Sequence, residues 1–100
     1  MTGEVRVLVY HAAEDPAAIE EAYHQASNRL QGVPGLRGNE LLRSVHDQNG
    51  FVVASSWESL EAFQAWEQGA THRDSTAPLR PFRDTRLPVP FAIYQVAAAY

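Results

Sequence analysis

The run Phe51–Arg73, FVVASSWESLEAFQAWEQGATHR, concentrates the side chains able to do chemistry. It holds both tryptophans, Trp57 and Trp66, together with Phe63, and it releases at Gly69 just before His72 and Arg73. His72 is the candidate base, because histidine is the side chain whose type suits accepting a phenolic proton. Trp66, Phe63 and, from an earlier helix, Tyr23 offer aromatic faces on which a flat apolar molecule stacks. Arg73 and the later arginines of the 80s stretch can stabilise a negative charge that develops on such a molecule. These are the parts of a greasy slot with one base.

Each of these side chains also has an ordinary structural reading. Trp66 fits the core face of an amphipathic helix, Tyr23 a buried helix stripe, His72 a surface position after a helix end, and the loop arginines solvated charges. Trp57, at a strand-to-helix corner, reads as an anchor. His11, at a strand end, His24, on a helix's polar face, and His46, in a hairpin, read as solvated. A weaker pattern joins His72 and Asp74 to His11 and Glu14 or Asp15, two histidines with a carboxylate of the kind that suits non-heme iron. The expectation is no metal.

Composition removes several classes. No cysteine is present, so disulfides, thiolate nucleophiles, iron–sulfur clusters and cysteine zinc sites are excluded. All eight basic residues are arginine, which leaves no side-chain amine for a Schiff base. The mild net charge of −4 gives no electrostatic footprint for nucleic acid or an acidic membrane. No phosphate-cradling loop, dinucleotide fingerprint or nucleophile elbow occurs. The start, MTGEVRVLVYH, lacks the basic and then apolar regions of a secretion signal, and no run approaches the roughly 18 apolar residues of a membrane span. A single cytoplasmic domain over residues 1–100 is expected.

The elements that must position the chemistry follow from patterning. Val5–Tyr10, apolar on both alternating faces, predicts a central strand. Asp15-Pro16 predicts a helix start, and Ile19, Ala22, Tyr23, Ala26 and Leu30 form one stripe closed by Gly32. Leu36–Val45, with Arg37, Glu40 and Arg43, suits an edge strand. Asn49-Gly50 predicts a hairpin turn into Phe51–Ser55. Ser59 caps a second helix through Leu60, Phe63 and Trp66, which Gly69 ends. Four of the six prolines lie in Arg73–Pro90, predicting loop with at most one short helix, and FAIYQVAAAY predicts a last strand. The order β-α-β-β-α-β is that of a ferredoxin-like α+β sandwich. Because the strands are apolar on both faces, a second copy is expected to cover the open sheet face, giving a homodimer.

The segments NELLRSV, FVVASSWES and LEAFQAW, with His following, resemble the antibiotic biosynthesis monooxygenase family over Val5 to Gly69. The resemblance implies a dimeric α+β barrel. It is sharpest toward the heme-degrading branch, whose site combines an asparagine on the first strand, where Leu8 stands here, a tryptophan matched by Trp66 and an iron-binding histidine matched by His72. Other branches, which oxidise quinols and polycyclic aromatic polyketides without metal or flavin, share W-x-S and a histidine at the helix end, and W-E-Q-G-A-T-H resembles them. The resemblance therefore implies a cofactor-independent monooxygenase oxidising a hydroxylated aromatic (quinol, anthrone or polyketide intermediate) with molecular oxygen. His72 and Trp66 would be catalytic, with Phe63, Tyr23, Leu8 and Arg73 contacting substrate. The alternatives are a heme-binding or heme-degrading monooxygenase with His72 as iron ligand, and a non-catalytic dimeric binder of a hydrophobic metabolite.

Overall fold

Four strands form one antiparallel sheet: β1 (Val5–Ala12), β2 (Leu36–Arg43), β3 (Gly50–Trp57) and β4 (Phe91–Gln95), in the order β2-β3-β1-β4. The computed structural model describes residues 3–100; Met1 and Thr2, the start of the stretch read for a secretion signal, lie outside them. β1 is central, pairing Val7 with Ser55 of β3 and with Ile93 of β4, and β2 is the edge strand that its charges predict. With helices α1 (Pro16–Arg29), α2 (Leu60–Glu67) and α3 (His72–Thr76), the chain is a ferredoxin-like α+β sandwich. No helix among the described residues is long and apolar enough to cross a membrane.

Strand parity decides what faces the helices. Successive side chains alternate between faces, so Val5, Val7, Val9 and His11 share one face of β1, beside Phe51, Val53, Ser55 and Trp57 of β3. Two apolar clusters form on this side. Ile19, Ala22 and Ala26 of α1 pack on Phe51 and Leu79, and Val5, Val7 and Trp57 pack on Phe63 of α2. Trp57 is 1% exposed, and its indole N–H donates to Ser55 Oγ at 2.9 Å, which satisfies the polar atom that burial would otherwise strand. It is the anchor that its corner position predicts.

The caps follow their sequence signals. Asp15 Oδ1 accepts from Ala17 N at 3.0 Å, Pro16 opens α1, and Ser59 Oγ accepts from Ala62 N at 3.0 Å. The hairpin forms, but not by the predicted chemistry: neither Asn49 nor Gly50 has positive φ. Ser44 Oγ accepts from the amides of His46 and Asp47, and Asp47 Oδ1 accepts from Asn49 N, so side-chain acceptors build a wider turn. The proline-rich stretch is also more regular than predicted. α3 runs straight into a 3-10 segment, Ala77–Phe82, because proline's fixed φ suits the first turn of such a helix. β4 closes at Gln95, leaving Val96–Tyr100 outside the sheet.

Gly35 is a point of close approach. Its φ is +83°, and a Cβ there would overlap Ala62 at the start of α2. Gly35→Ala is expected to lower stability by about 1–3 kcal/mol, read as a lower denaturant midpoint at unchanged slope.

Candidate active site

A cavity of about 700 Å³ lies between the sheet and the helical layer. β1 and β3 give its sheet wall through Val7, Val9, His11 and Val53, and α1, α2 and α3 give the other through Tyr23, Phe63, Trp66, His72 and Arg73. Five of the six nominated residues therefore meet at one place although α1 and α3 are distant in sequence. Leu8 does not. It belongs to the opposite parity of β1 from Val7 and Val9, on the face away from the helices. Its two neighbours, Val7 and Val9, line the cavity instead.

Trp66 is the centre of an aromatic wall. Its ring centroid lies 5.3 Å from Trp57 and 6.0 Å from Phe63, and His72 meets it edge to face at 4.6 Å and 89°. That edge-on contact fixes the imidazole plane against the indole. The Trp66 indole nitrogen is buried and has no hydrogen-bond partner among the described residues, so the wall holds an N–H donor that no protein acceptor satisfies.

Asn39 of β2, which carries no chemical signal in the sequence, lies in the same wall. Tyr23 donates its hydroxyl to the Asn39 carboxamide oxygen, and Ser27 donates to the same oxygen at 3.0 Å. Both interactions use the oxygen, leaving the amide NH₂ without a partner among the described residues. Tyr23→Phe is expected to keep the fold and loosen Asn39, costing about 0.5–1.5 kcal/mol of stability in denaturant titration.

His11 is the larger surprise, because it is 4% exposed rather than solvated. Its parity with Val7 and Val9 was the available signal. Nδ1 lies 3.0 Å from the Val9 carbonyl, an acceptor only, so Nδ1 carries the proton and Nε2 keeps a lone pair. Burial pulls the His11 pKa below 6.5, opposed by the Val9 hydrogen bond and the Asp84 charge. Asp84 is held as a carboxylate by Arg86, whose Nε and Nη2 donate at 2.9 and 3.0 Å, and Arg86 also reaches Asp47 at 2.8 Å. Arg86 hydrogen bonding lowers the pKa of both carboxylates.

Linkage gives the sign of the pH dependence. A histidine whose folded pKa is lowered leaves the unfolded chain binding more protons once pH falls below 6.5, so stability declines from there down to the folded value. The two aspartates act lower: the stability they lend is present above 3.8 and is lost as pH falls through their lowered values. Denaturant titrations of the wild type and His11→Gln are expected to show the first decline only in the wild type.

The arginines divide. Arg80 donates to the Arg73 carbonyl at 2.8 Å and to Thr76 Oγ1 at 3.3 Å, whereas the Arg73 and Arg83 guanidinium groups, also at the cavity, have no such partner among the described residues. No cluster of three or more histidine, aspartate or glutamate side chains suited to a metal ion forms among the described residues. The His72, Asp74, His11 and acidic pair therefore does not assemble.

Residues 4–77 match the family model described as antibiotic biosynthesis monooxygenase. The chain belongs to that family. Among relatives of this antibiotic biosynthesis monooxygenase domain, SchA of Streptomyces halstedii is 32% identical over 80 residues, covering 78% of this chain and 21% of SchA. The mycobilin-producing heme oxygenase of Mycobacterium tuberculosis is 36% identical over 67 residues, covering 63% of this chain and 64% of that one. The chain thus spans about a fifth of the first and under two thirds of the second. In fold it is similar to SnoaB, a cofactor-independent oxygenase from Streptomyces nogalater, with TM-score 0.72 and 17% identity over 100% of this chain and 96% of SnoaB.

Proposed function

We propose that this family member is a cofactor-independent monooxygenase that oxidises a hydroxylated polycyclic aromatic with molecular oxygen. One observation carries the reading: an aromatic-walled cavity lined by a histidine and by a tryptophan in edge-to-face contact with it, whose buried indole N–H has no protein partner among the described residues. A phenol or anthrone, once deprotonated, passes an electron to oxygen itself, so the protein must bind a flat ring and stabilise its anion. His72 takes the proton that makes the anion. Trp66 Nε1 and the Asn39 NH₂ donate to the oxygen on which the charge settles, and Arg73 adds a positive charge at the rim. Phe63 and Tyr23 hold the ring system.

The test is oxygen uptake with 1,8-dihydroxy-9-anthrone, corrected for its spontaneous oxidation. Uptake matched one to one by hydroxyanthraquinone supports the reading. A bound anthrone that is not consumed would favour the non-catalytic binder.

A second reading has support in His72, which has no side-chain hydrogen bond among the described residues, and in the 36% identity to a heme oxygenase. The residues fit heme: His72 for the iron, the aromatic wall for the macrocycle, and Arg73 and Arg83 for the propionates. Bound there, heme would supply oxygen activation at its iron. A saturable heme complex with a histidine-ligated spectrum, lost in His72→Ala, would promote this reading.

The homodimer rests on the open sheet face. Leu8 and Tyr10 of β1 share it with Val52 and Ala54 of β3 and with Tyr94 of β4, which is 58% exposed. A second copy placed face to face covers it. Sedimentation at micromolar concentration is expected to give twice the 11.1 kDa of the chain, and Val52→Glu to give the monomer. A wild-type monomer would overturn the dimer.

A further inference from the structure

We propose that His11 is a second proton acceptor of this site, removing from the sheet side the hydrogen that remains on the substrate carbon after oxygen has added. The proposal rests on the cofactor-independent reading above and assigns a residue which that reading does not use. The chemistry creates the need. Converting an anthrone to an anthraquinone turns R₂CH₂ and O₂ into R₂C=O and H₂O, so two hydrogens leave one carbon. The first leaves as a proton to His72, giving a planar anion. The anion transfers an electron to oxygen, the radical pair closes a C–O bond, and His72 returns its proton to the peroxide, giving R₂CH–OOH. The second hydrogen must then leave as a proton. Its electron pair forms the carbonyl, the O–O bond breaks, and the departing hydroxide becomes water with the proton that was taken.

Geometry gives that second proton a destination. The cavity is a slot between a sheet and a helical layer, and a flat ring lying in it shows one face to each wall. Oxygen adding to one face of the planar anion tips the remaining hydrogen toward the other. His72 stands on the helical wall and His11 on the sheet wall. His11 has what a proton acceptor needs. Its tautomer is set by the Val9 carbonyl, and its Nε2 lone pair has no hydrogen-bond partner among the described residues. The segment behind it is fixed by pairing of Arg83 with His11 and by Asp84 N donating to the Tyr10 carbonyl at 3.2 Å. The groups around it are charged in a useful sense. Asp84 faces it from that segment, and Arg86 and Asp47 beyond complete a net negative trio that stabilises an imidazolium once formed. Arg83 lies on the same segment, Phe51 lies opposite on β3, and Arg73, Arg80, Glu67 and His72 are the other titratable groups at the cavity besides Tyr23.

The test uses the full chain, 1,8-dihydroxy-9-anthrone and its form deuterated at the methylene. His11→Asn keeps an N–H donor for the Val9 carbonyl but removes the basic ring nitrogen. It is expected to take up oxygen, release hydroperoxide and form anthraquinone about 10²–10⁴-fold more slowly, with a deuterium isotope effect on the product step. In the wild type the product step is expected to fall as pH drops through the lowered pKa of His11, below 6.5, and this limb is expected to vanish in His11→Asn. Anthraquinone formed by His11→Asn at the wild-type rate, without hydroperoxide, would overturn the proposal while leaving the oxygenase reading intact. Absence of oxygen uptake by the wild type would sink the oxygenase reading and this role with it. Should His11→Asn fail to fold, His11→Gln and the same pH limb measured on the wild type alone decide the matter, a flat product step below 6.5 counting against His11.

Discussion

His72→Ala is expected to lower oxygen uptake with 1,8-dihydroxy-9-anthrone by about 10²–10⁴-fold, the usual worth of a positioned general base, while leaving the fold and the binding of the hydroxyanthraquinone product nearly unchanged. The reasoning is local. His72 begins α3, a five-residue helix, and touches the site through its edge-on contact with Trp66 rather than through the buried core. Loss of the ring therefore removes a proton acceptor without opening the sheet–helix interface. Stopped-flow spectra should locate the defect before oxygen reacts, because the substrate anion no longer accumulates. Uptake at the wild-type rate would take His72 out of the mechanism.

The second large effect belongs to Trp66→Phe. Phenylalanine keeps an aromatic face toward Trp57 and Phe63 but has no N–H, so it separates stacking from hydrogen bonding. If the indole N–H, which has no protein partner among the described residues, donates to the oxygen that gains charge, its removal should lower kcat by about 10²–10³-fold with a small change in KM, as for other preorganised donors. Stability should change little or rise, since a buried donor without a partner is removed. Trp66→Ala is less informative, because it also leaves a void worth about 3–5 kcal/mol of stability. A Trp66→Phe enzyme with full kcat would limit the indole to a packing role.

The framework was legible because its signals are local and repeated. The Asp15 and Ser59 caps, the α1 stripe and the two-faced apolar β1 each specify an element, and their order specifies the sandwich. The site was legible in part. Trp66, Phe63 and Tyr23 lie on helix stripes that must face the sheet, so their convergence follows from the fold. Leu8 and His11 were misplaced for one reason: β1 is apolar on both faces, so its pattern hides the parity that buried Val5 and Val7 set. That parity, carried to the strand end, turns Leu8 outward and His11 inward. Asn39 and Asp84 gave no local signal. Asn39 looks like an ordinary polar residue of an edge strand until Tyr23 and Ser27 are seen to close on it from α1. Asp84 lies in a proline-rich stretch whose path depends on long-range contacts, the pairing beside Tyr10 and the Arg86 bridge to the hairpin. Such contacts join residues far apart in the chain, and no spacing rule reports them.

Oxidation without a bound cofactor is tested most directly by isotope tracing. Protein purified free of heme and flavin, treated with a metal chelator, would be mixed with 1,8-dihydroxy-9-anthrone under ¹⁸O₂, and the anthraquinone analysed by mass. One ¹⁸O atom in the new carbonyl, one oxygen consumed per product and the same rate with chelator present are the results expected of direct reaction between a bound carbanion and oxygen. Uptake that begins only when heme is added, with the label appearing in heme breakdown products, would contradict the cofactor-free mechanism and make His72 an iron ligand.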